Sequence, residues 1–369
     1  MRVLLYGPGA KDEALQTFGY GKWAHARWKA FATAFGEENI TVTENITHRV
    51  EGTFDIGVFV TLPAAIKQAR SVFRKLQSFC ERTYMEVLWE TTNIPSWWVP
   101  LLEEFDGTIV GTEFCFTLVQ KAIPHKPSYI VPFIVDPIET KSVEDRLNEN
   151  IFRVLFIGQN TVRKGVRDAI VGFINALGHV PDTELIIKTD PASPTLGQPR
   201  VDDLVAECVA ANTKTKPLTH ISVIDDKLSD AAIHALYEDS SLLLLPSRGE
   251  GFGIPYVEAL LHGIPSVYIP FSATREVADY PCNYPVDYYL DAAYGMAKHG
   301  YEITSQYAVP YMSSLIAAIQ NAYTVWKRER FRYYNSCVSA RKDVLKRYSL
   351  GAASKAAKAL SITCESRTS

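Results

Sequence analysis

The chain has 369 residues, 47% hydrophobic and 21% charged, which is enough for two globular cores. Its formal net charge of −3 argues against a dedicated nucleic-acid or polybasic membrane binder. Six scattered cysteines form no C-x-x-C pair, so neither a zinc site nor a disulfide framework is expected, and a reducing, cytoplasmic setting is the natural reading.

The opening run, Met1 to Gly7, is too short for a signal peptide and reads as the first strand, Val3–Tyr6. No run approaches about 18 apolar residues, so no transmembrane segment is expected. An amphipathic stretch from Trp23 to Phe35 follows, then a strand over Phe54–Val60 and a basic amphipathic helix over Ala64–Phe79. Met85–Trp89, Gly107–Val110 and Ser128–Val131 read as further strands. Such alternation predicts a parallel sheet with helices on both faces.

From Asp136 to Asn150 the chain turns polar and charged, as a linker does. A second alternating series then begins: strand Val154–Ile157, helix Gly165–Leu177, and strands Glu184–Lys188, Ser222–Ile224, Leu242–Leu245 and Val267–Ile269. Ala278 to Val309 is aromatic and shows no period. Helices run from about Met312 to Lys346, and a short alanine-rich helix covers Ala352–Leu360.

The richest segment starts at the apolar run Leu242–Leu245 and Pro246. Gly251 and Gly253 allow a tight turn, Pro255 suits a first helical turn, and Gly263 ends the helix. Strand, glycine turn and helix N-terminus together offer backbone N–H groups and a positive dipole end to an anion. Two carboxylates, Glu250 and Glu258, stand eight positions apart around this turn.

That context, P-S-R-G-E-G-F-G-I-P-Y-V-E-A-L, resembles the nucleotide-sugar signature of family 4 retaining glycosyltransferases. The resemblance implies an α/β GT-B architecture: two Rossmann-like, doubly wound parallel-sheet domains facing a central cleft. It places an acceptor domain at 1–138, rejoined by a C-terminal helix at 348–369, and a donor domain at 150–347. The implied activity is metal-independent transfer of a hexose from a nucleotide-diphospho-sugar to a glycan or other hydroxyl acceptor. GDP-mannose is the first donor to consider and a UDP-hexose the second. The nucleotide sugar is a co-substrate, and no resident cofactor or metal is expected. A homodimer is an option, and a nucleic-acid partner is not expected. An epimerase or phosphorylase on the same fold, or a donor-binding protein without transfer activity, are the alternatives.

By the same resemblance, Glu258 would accept the ribose hydroxyls and Glu250 would hold the transferred sugar. Gly251, Phe252, Gly253 and Ile254 would border the phosphates or sugar. In Ile157–Gly165, Lys164 matches a lysine that binds the donor diphosphate, but Gln159 stands where relatives carry arginine. A neutral amide cannot supply a charge-assisted bond, so either Arg163 or Arg248 supplies the missing charge or the donor binds weakly. Ile224 and Leu228 would flank the base, with Lys227 near it, and Ser229 or Asp230 would cap the next helix. Gly19 and Gly21, in a turn after the first strand, would let the backbone approach the diphosphate. Glu90 stands near a position where many relatives have histidine, and a carboxylate there can orient the acceptor or receive its proton. Trp89, Trp97 and Trp98 read first as packing residues. His262, at the end of the motif helix, reads as a complement to its dipole.

Overall fold

The computed structural model describes residues 1–12, 19–45, 50–190, 199–211, 220–296 and 300–365, the side chains of 19, 20 and 362–365 aside. The chain divides into two compact units. Unit 1 comprises Met1–Trp89, Asn93–Asp136 and Leu345–Ser369, and unit 2 comprises Glu90–Thr92 and Pro137–Val344.

Unit 1 holds β1 (Val3–Tyr6), α1 (Gly19–Phe35), β2 (Ile40–Thr43), β3 (Phe54–Phe59), α2 (Pro63–Gln68), α3 (Arg70–Gln77) and β4 (Cys80–Val87). It continues with α4 (Val99–Leu102), β5 (Gly107–Val110), α5 (Glu113–Ala122) and β6 (Ser128–Ile130). The strands form one parallel sheet in the order β2-β1-β3-β4-β5-β6. Val3, Leu4, Leu5, Ile56, Val58 and Met85 are fully buried, as strands covered on both faces require. Arg27 of α1 reaches Glu86 of β4 with two bonds of 2.7 and 2.8 Å, and neither side chain is exposed. A third bond to Pro132 O at 2.9 Å and the Trp23 ring beneath complete the guanidinium's surroundings.

Unit 2 holds α6 (Val143–Arg146), β7 (Phe152–Ile157), α7 (Val166–Leu177), β8 (Thr183–Lys188), α8 (Val201–Ala211), β9 (His220–Ile224), α9 (Asp230–Glu238) and β10 (Leu242–Leu244). Then come α10 (Ile254–Leu261), β11 (Ser266–Tyr268), α11 (Thr274–Val277), β12 (Tyr284–Pro285), β13 (Tyr288–Ala292), β14 (Gln306–Pro310) and α12 (Met312–Arg328). α13 (Arg330–Arg347) leads out of unit 2, and α14 (Leu350–Glu365) lies in unit 1, where it packs on α1 and β6. The second sheet is also parallel, in the order β12-β11-β10-β7-β8-β9. Strand order therefore reverses between β7 and β10, which pair as Leu242↔Val154 and Leu243↔Leu155. In such sheets ligands bind outside the carboxyl ends of the strands at this reversal.

Three readings of the sequence change. The helix expected over Ala64–Phe79 is two helices that meet at Ala69, whose φ of −121° and ψ of 36° leave the helical region. The strand Ile40–Thr43 went unread because it is an edge strand with a partly exposed, threonine-rich pattern. The aperiodic stretch 278–309 contains β12 and nearly all of the antiparallel hairpin β13–β14. Its tyrosines sit on both faces of the hairpin, which hides the period-two alternation.

Candidate functional site

The loops after β7 and β10 are locked together by glycine geometry. After β7 a single 3-10 turn, Val162–Lys164, ends at Gly165, whose φ of +71° is left-handed. A β-carbon there would lie 2.5 Å from Pro246 O, so only glycine lets the two loops touch. Arg248 N–H donates to Arg163 O at 2.7 Å across the same contact. Gly253, with φ +101°, turns the second loop into α10, and Pro255 falls in that helix's first turn. Gly249 is equally constrained, since a β-carbon on it would stand 2.1 Å from the carbonyl oxygen of Glu90.

Glu250 lies at the centre, 5% exposed. Its carboxylate accepts from Lys164 Nζ at 2.6 Å, Ser247 Oγ at 2.7 Å and Arg163 Nη1 at 3.1 Å. Burial alone would raise its pKa, but the charges of Lys164 and Arg163 and these hydrogen bonds hold it down to about 2. Burial pushes the Lys164 ammonium down despite the neighbouring carboxylate. For Arg163, burial is outweighed by Glu90, Tyr301 and Glu250, which together hold its charge firmly. The backbone N–H of Glu250 donates to Ser272 Oγ at 2.8 Å. Ser272 has a φ of 61°, left-handed strain in a non-glycine residue placed beside the central carboxylate.

Glu90, the second candidate catalytic carboxylate, is drawn into the same cluster. Its Oε1 stands 3.6 Å from Arg163 Nη2, and its Oε2 accepts from Tyr301 Oη at 2.8 Å. Arg163 thus bridges the two carboxylates. Two anions and two cations make the cluster formally neutral.

Around this centre the other expected residues divide. Glu258, half-buried on α10, accepts from Tyr237 Oη at 2.9 Å, and burial keeps that phenol's pKa well above its ordinary value. Arg248 points to Asp168, at 2.8 Å, and to Tyr307 Oη, at 3.2 Å. Arg248 is therefore already committed, and Arg163 joins Lys164 as a cation on Glu250. Gln159 is exposed beyond β7. Gly251, Phe252 and Gly253 are buried in the turn, with Ile254 half-buried at the helix start. Ile224 and Leu228 are half-buried and Lys227 exposed between β9 and α9, where Ser229 caps α9 by accepting from Ala232 N–H at 3.2 Å. Beside them, at the ends of β8 and β9, a small recess is lined in part by Asn160, Thr189, Arg200 and Asp225.

Gly19 and Gly21 correct the expected turn: they belong to α1, in unit 1. A β-carbon on Gly9 would lie 2.7 Å from Gly21 Cα, so Gly21 serves close packing of the loop after β1 against that helix. Phe18, just before them, lies outside the described residues. Trp89 and Trp98 are packing residues, buried edge to face at 4.6 Å. His262 is not a dipole-complementing cation. It is buried between Glu238, at 2.7 Å, and His234, at 3.0 Å, and burial pushes its pKa down. Among the described residues no three His, Cys, Asp or Glu side chains gather as a metal site. Ser247 lies inside the motif and was within reach of the sequence. Tyr237, Tyr301, Ser272 and Asp168 were not, since none has a local pattern that singles it out.

The family profile described as glycosyl transferases group 1 matches residues 151–284, from β7 to the start of β12, and so takes in the site's residues apart from Glu90, Tyr301 and Tyr307. No curated protein is matched by the chain at a significant level. Solved structures share the two-sheet GT-B fold across almost the full length. Sucrose-phosphate synthase from Thermosynechococcus elongatus superposes with a TM-score of 0.69 at 12% identity, over 98% of each chain. HepE from Anabaena, solved with UDP and glucose, gives 0.64 at 13% identity, over 98% of this chain and 99% of that one. A glycosyltransferase from Rickettsia africae gives 0.61 at 14% identity, over 98% and 97%. At such identities these structures establish the α/β GT-B fold, and the profile match supports a glycosyltransferase of the group 1 kind.

Proposed function

We propose that the chain is a retaining glycosyltransferase that moves a hexose from a nucleotide-diphospho-sugar to a glycan or other hydroxyl acceptor. One observation carries this reading: Lys164 and Arg163 converge on Glu250 where the strand order of the second sheet reverses. Two cations at the N-terminal end of α10 suit a diphosphate. In this reading Lys164 and Arg163 meet the phosphate charge, so the reaction calls for no metal ion. Arg163 supplies what Gln159 cannot, and Gly251 to Ile254 border the phosphates and sugar. Glu258, steadied by Tyr237, takes the ribose hydroxyls, and Ile224, Lys227 and Leu228 border the base.

Glu250 then holds the hexose and stabilises positive charge growing at the anomeric carbon. Glu90 orients the acceptor hydroxyl or receives its proton. The departing diphosphate, carrying the broken C–O bond's electrons, can itself take that proton on the same face, which retains configuration without a covalent enzyme intermediate. GDP-mannose, implied by the sequence motif, and UDP-hexoses, supported by HepE solved with UDP-glucose, are the donors to compare.

Titration calorimetry with a panel of GDP- and UDP-sugars tests the site. One donor should bind, and Glu258→Ala should weaken it at least about ten-fold, a loss of about 1.4 kcal/mol. Binding of none of them, or an unaltered Glu258→Ala, refutes the assignment. Release of sugar from the bound donor, with and without acceptors, separates an enzyme from a protein that only binds the donor.

A further inference from the structure

The hairpin β13–β14 starts at Tyr288, just beyond the profile match that ends at 284. It nevertheless joins both stretches that approach Arg163. Thr92 N–H donates to Gln306 O at 3.1 Å, and Gln306 N–H donates to Thr92 Oγ1 at 2.9 Å. Ala308 N–H donates to Arg248 O at 2.8 Å. Ala293, Met296 and Tyr307 form a small apolar core, and Val162 and Tyr301 pack against it. Tyr301 thus packs against the same core as Val162, the residue that precedes Arg163.

The hydrogen bonds around Arg163 are unequal. Nη1 donates to Gly249 O at 2.7 Å and Glu250 Oε2 at 3.1 Å. Nη2 faces Glu90 Oε1 at 3.6 Å, beyond hydrogen-bond distance. Glu90's other oxygen is taken by Tyr301. Burial and the Glu90 charge keep the Tyr301 phenol protonated, so it acts as a donor.

We propose that Tyr301 is a positioning residue of the donor site: by occupying Glu90 Oε2 it holds that carboxylate short of Arg163 and leaves Nη2 to the donor's diphosphate. The inference rests on the donor-site reading above. A carboxylate deprived of its tyrosine turns to the adjacent guanidinium, and a charge-assisted bond there is roughly twice as strong as a neutral one. A phosphate then has to displace it. The effect matters in this chain because Gln159 brings no charge of its own.

The test is a double-mutant cycle read by calorimetric binding of UDP and of GDP to the full chain. Tyr301→Phe, which keeps the ring, should weaken the nucleotide that binds by about five-fold, the scale of one net hydrogen bond. Glu90→Gln should bind at least as tightly as the wild type, and adding Tyr301→Phe to it should change nothing further. Equal binding by Tyr301→Phe and wild type overturns the proposal. So does a Tyr301→Phe loss that persists in the Glu90→Gln background, since that loss belongs to hairpin packing. If the wild type binds neither nucleotide, the donor-site reading itself falls. Binding with additive losses overturns only the role of Tyr301.

Discussion

Glu250 ties its own ionisation to the stability of the fold. Its pKa is about 2 in the folded chain against 4.5 for an unperturbed glutamate. A depressed carboxylate contributes stability that is fully present above the unfolded value and is lost as pH falls from there towards the folded one. Between pH 5 and pH 3 the wild type should therefore lose about 2 kcal/mol more than Glu250→Gln. Urea unfolding at each pH checks this, and identical pH slopes in the two chains would rule it out. Glu250 and Lys164 were legible because each sits in a strand-turn-helix motif with its own local signal. Tyr301 was not, because it reaches Glu90 from 211 residues away out of a stretch without periodicity. A hydrogen bond of that separation leaves no trace in spacing. Arg248 shows the opposite failure: it lies inside the motif, yet Asp168 and Tyr307 already take it.

Among the elements, the loops around Gly165, Gly249 and Gly253 set how closely the site can assemble. Gly249 makes the sharpest case, because the atom a β-carbon would meet is the backbone oxygen of Glu90 at 2.1 Å. A flexible side chain could swing aside, but this carbonyl cannot. Gly249→Ala should destabilise the chain by about 1–3 kcal/mol through overpacking, and should separate Glu90 from Arg163. Thermal unfolding together with nucleotide binding checks both effects, and an alanine chain that melts and binds like the wild type would contradict the contact. The turn before α10 was readable from its glycines and Pro255 alone. The hairpin β13–β14 was not, because tyrosines on both of its faces conceal its alternation. The break between α2 and α3 also escaped notice, since neither proline nor glycine marks Ala69.

For the whole molecule, the alternation of strands and helices made both parallel sheets legible, because buried parallel strands read as near-continuous apolar runs. Strand order was beyond reach of the sequence, since a crossover from β9 back across to β10 has no local signature. That order is what puts the β7 and β10 loops side by side. The closing helix α14 buries Ala353, Ala357 and Leu360 completely within unit 1. A chain ending at Tyr348 should uncover α1 and β6, which that helix packs on. Hydrogen exchange should then rise in β1–β6, with β7–β12 keeping their protection. Unchanged exchange in β1–β6 would show that α14 adds little to the first core.

Unit 1 is completed by residues that follow the whole of unit 2 in the chain. On the ribosome its sheet emerges first, yet waits for the helix that closes it until Pro137–Val344 have been made. Synthesis proceeds at about 5–20 residues per second, so the delay is on the order of ten seconds or more. Throughout that interval a nascent chain presents an uncovered apolar stripe on α1 while the unit with the candidate site can already fold. The half made first is thus the half finished last, and it is the one that chaperones have longest to meet.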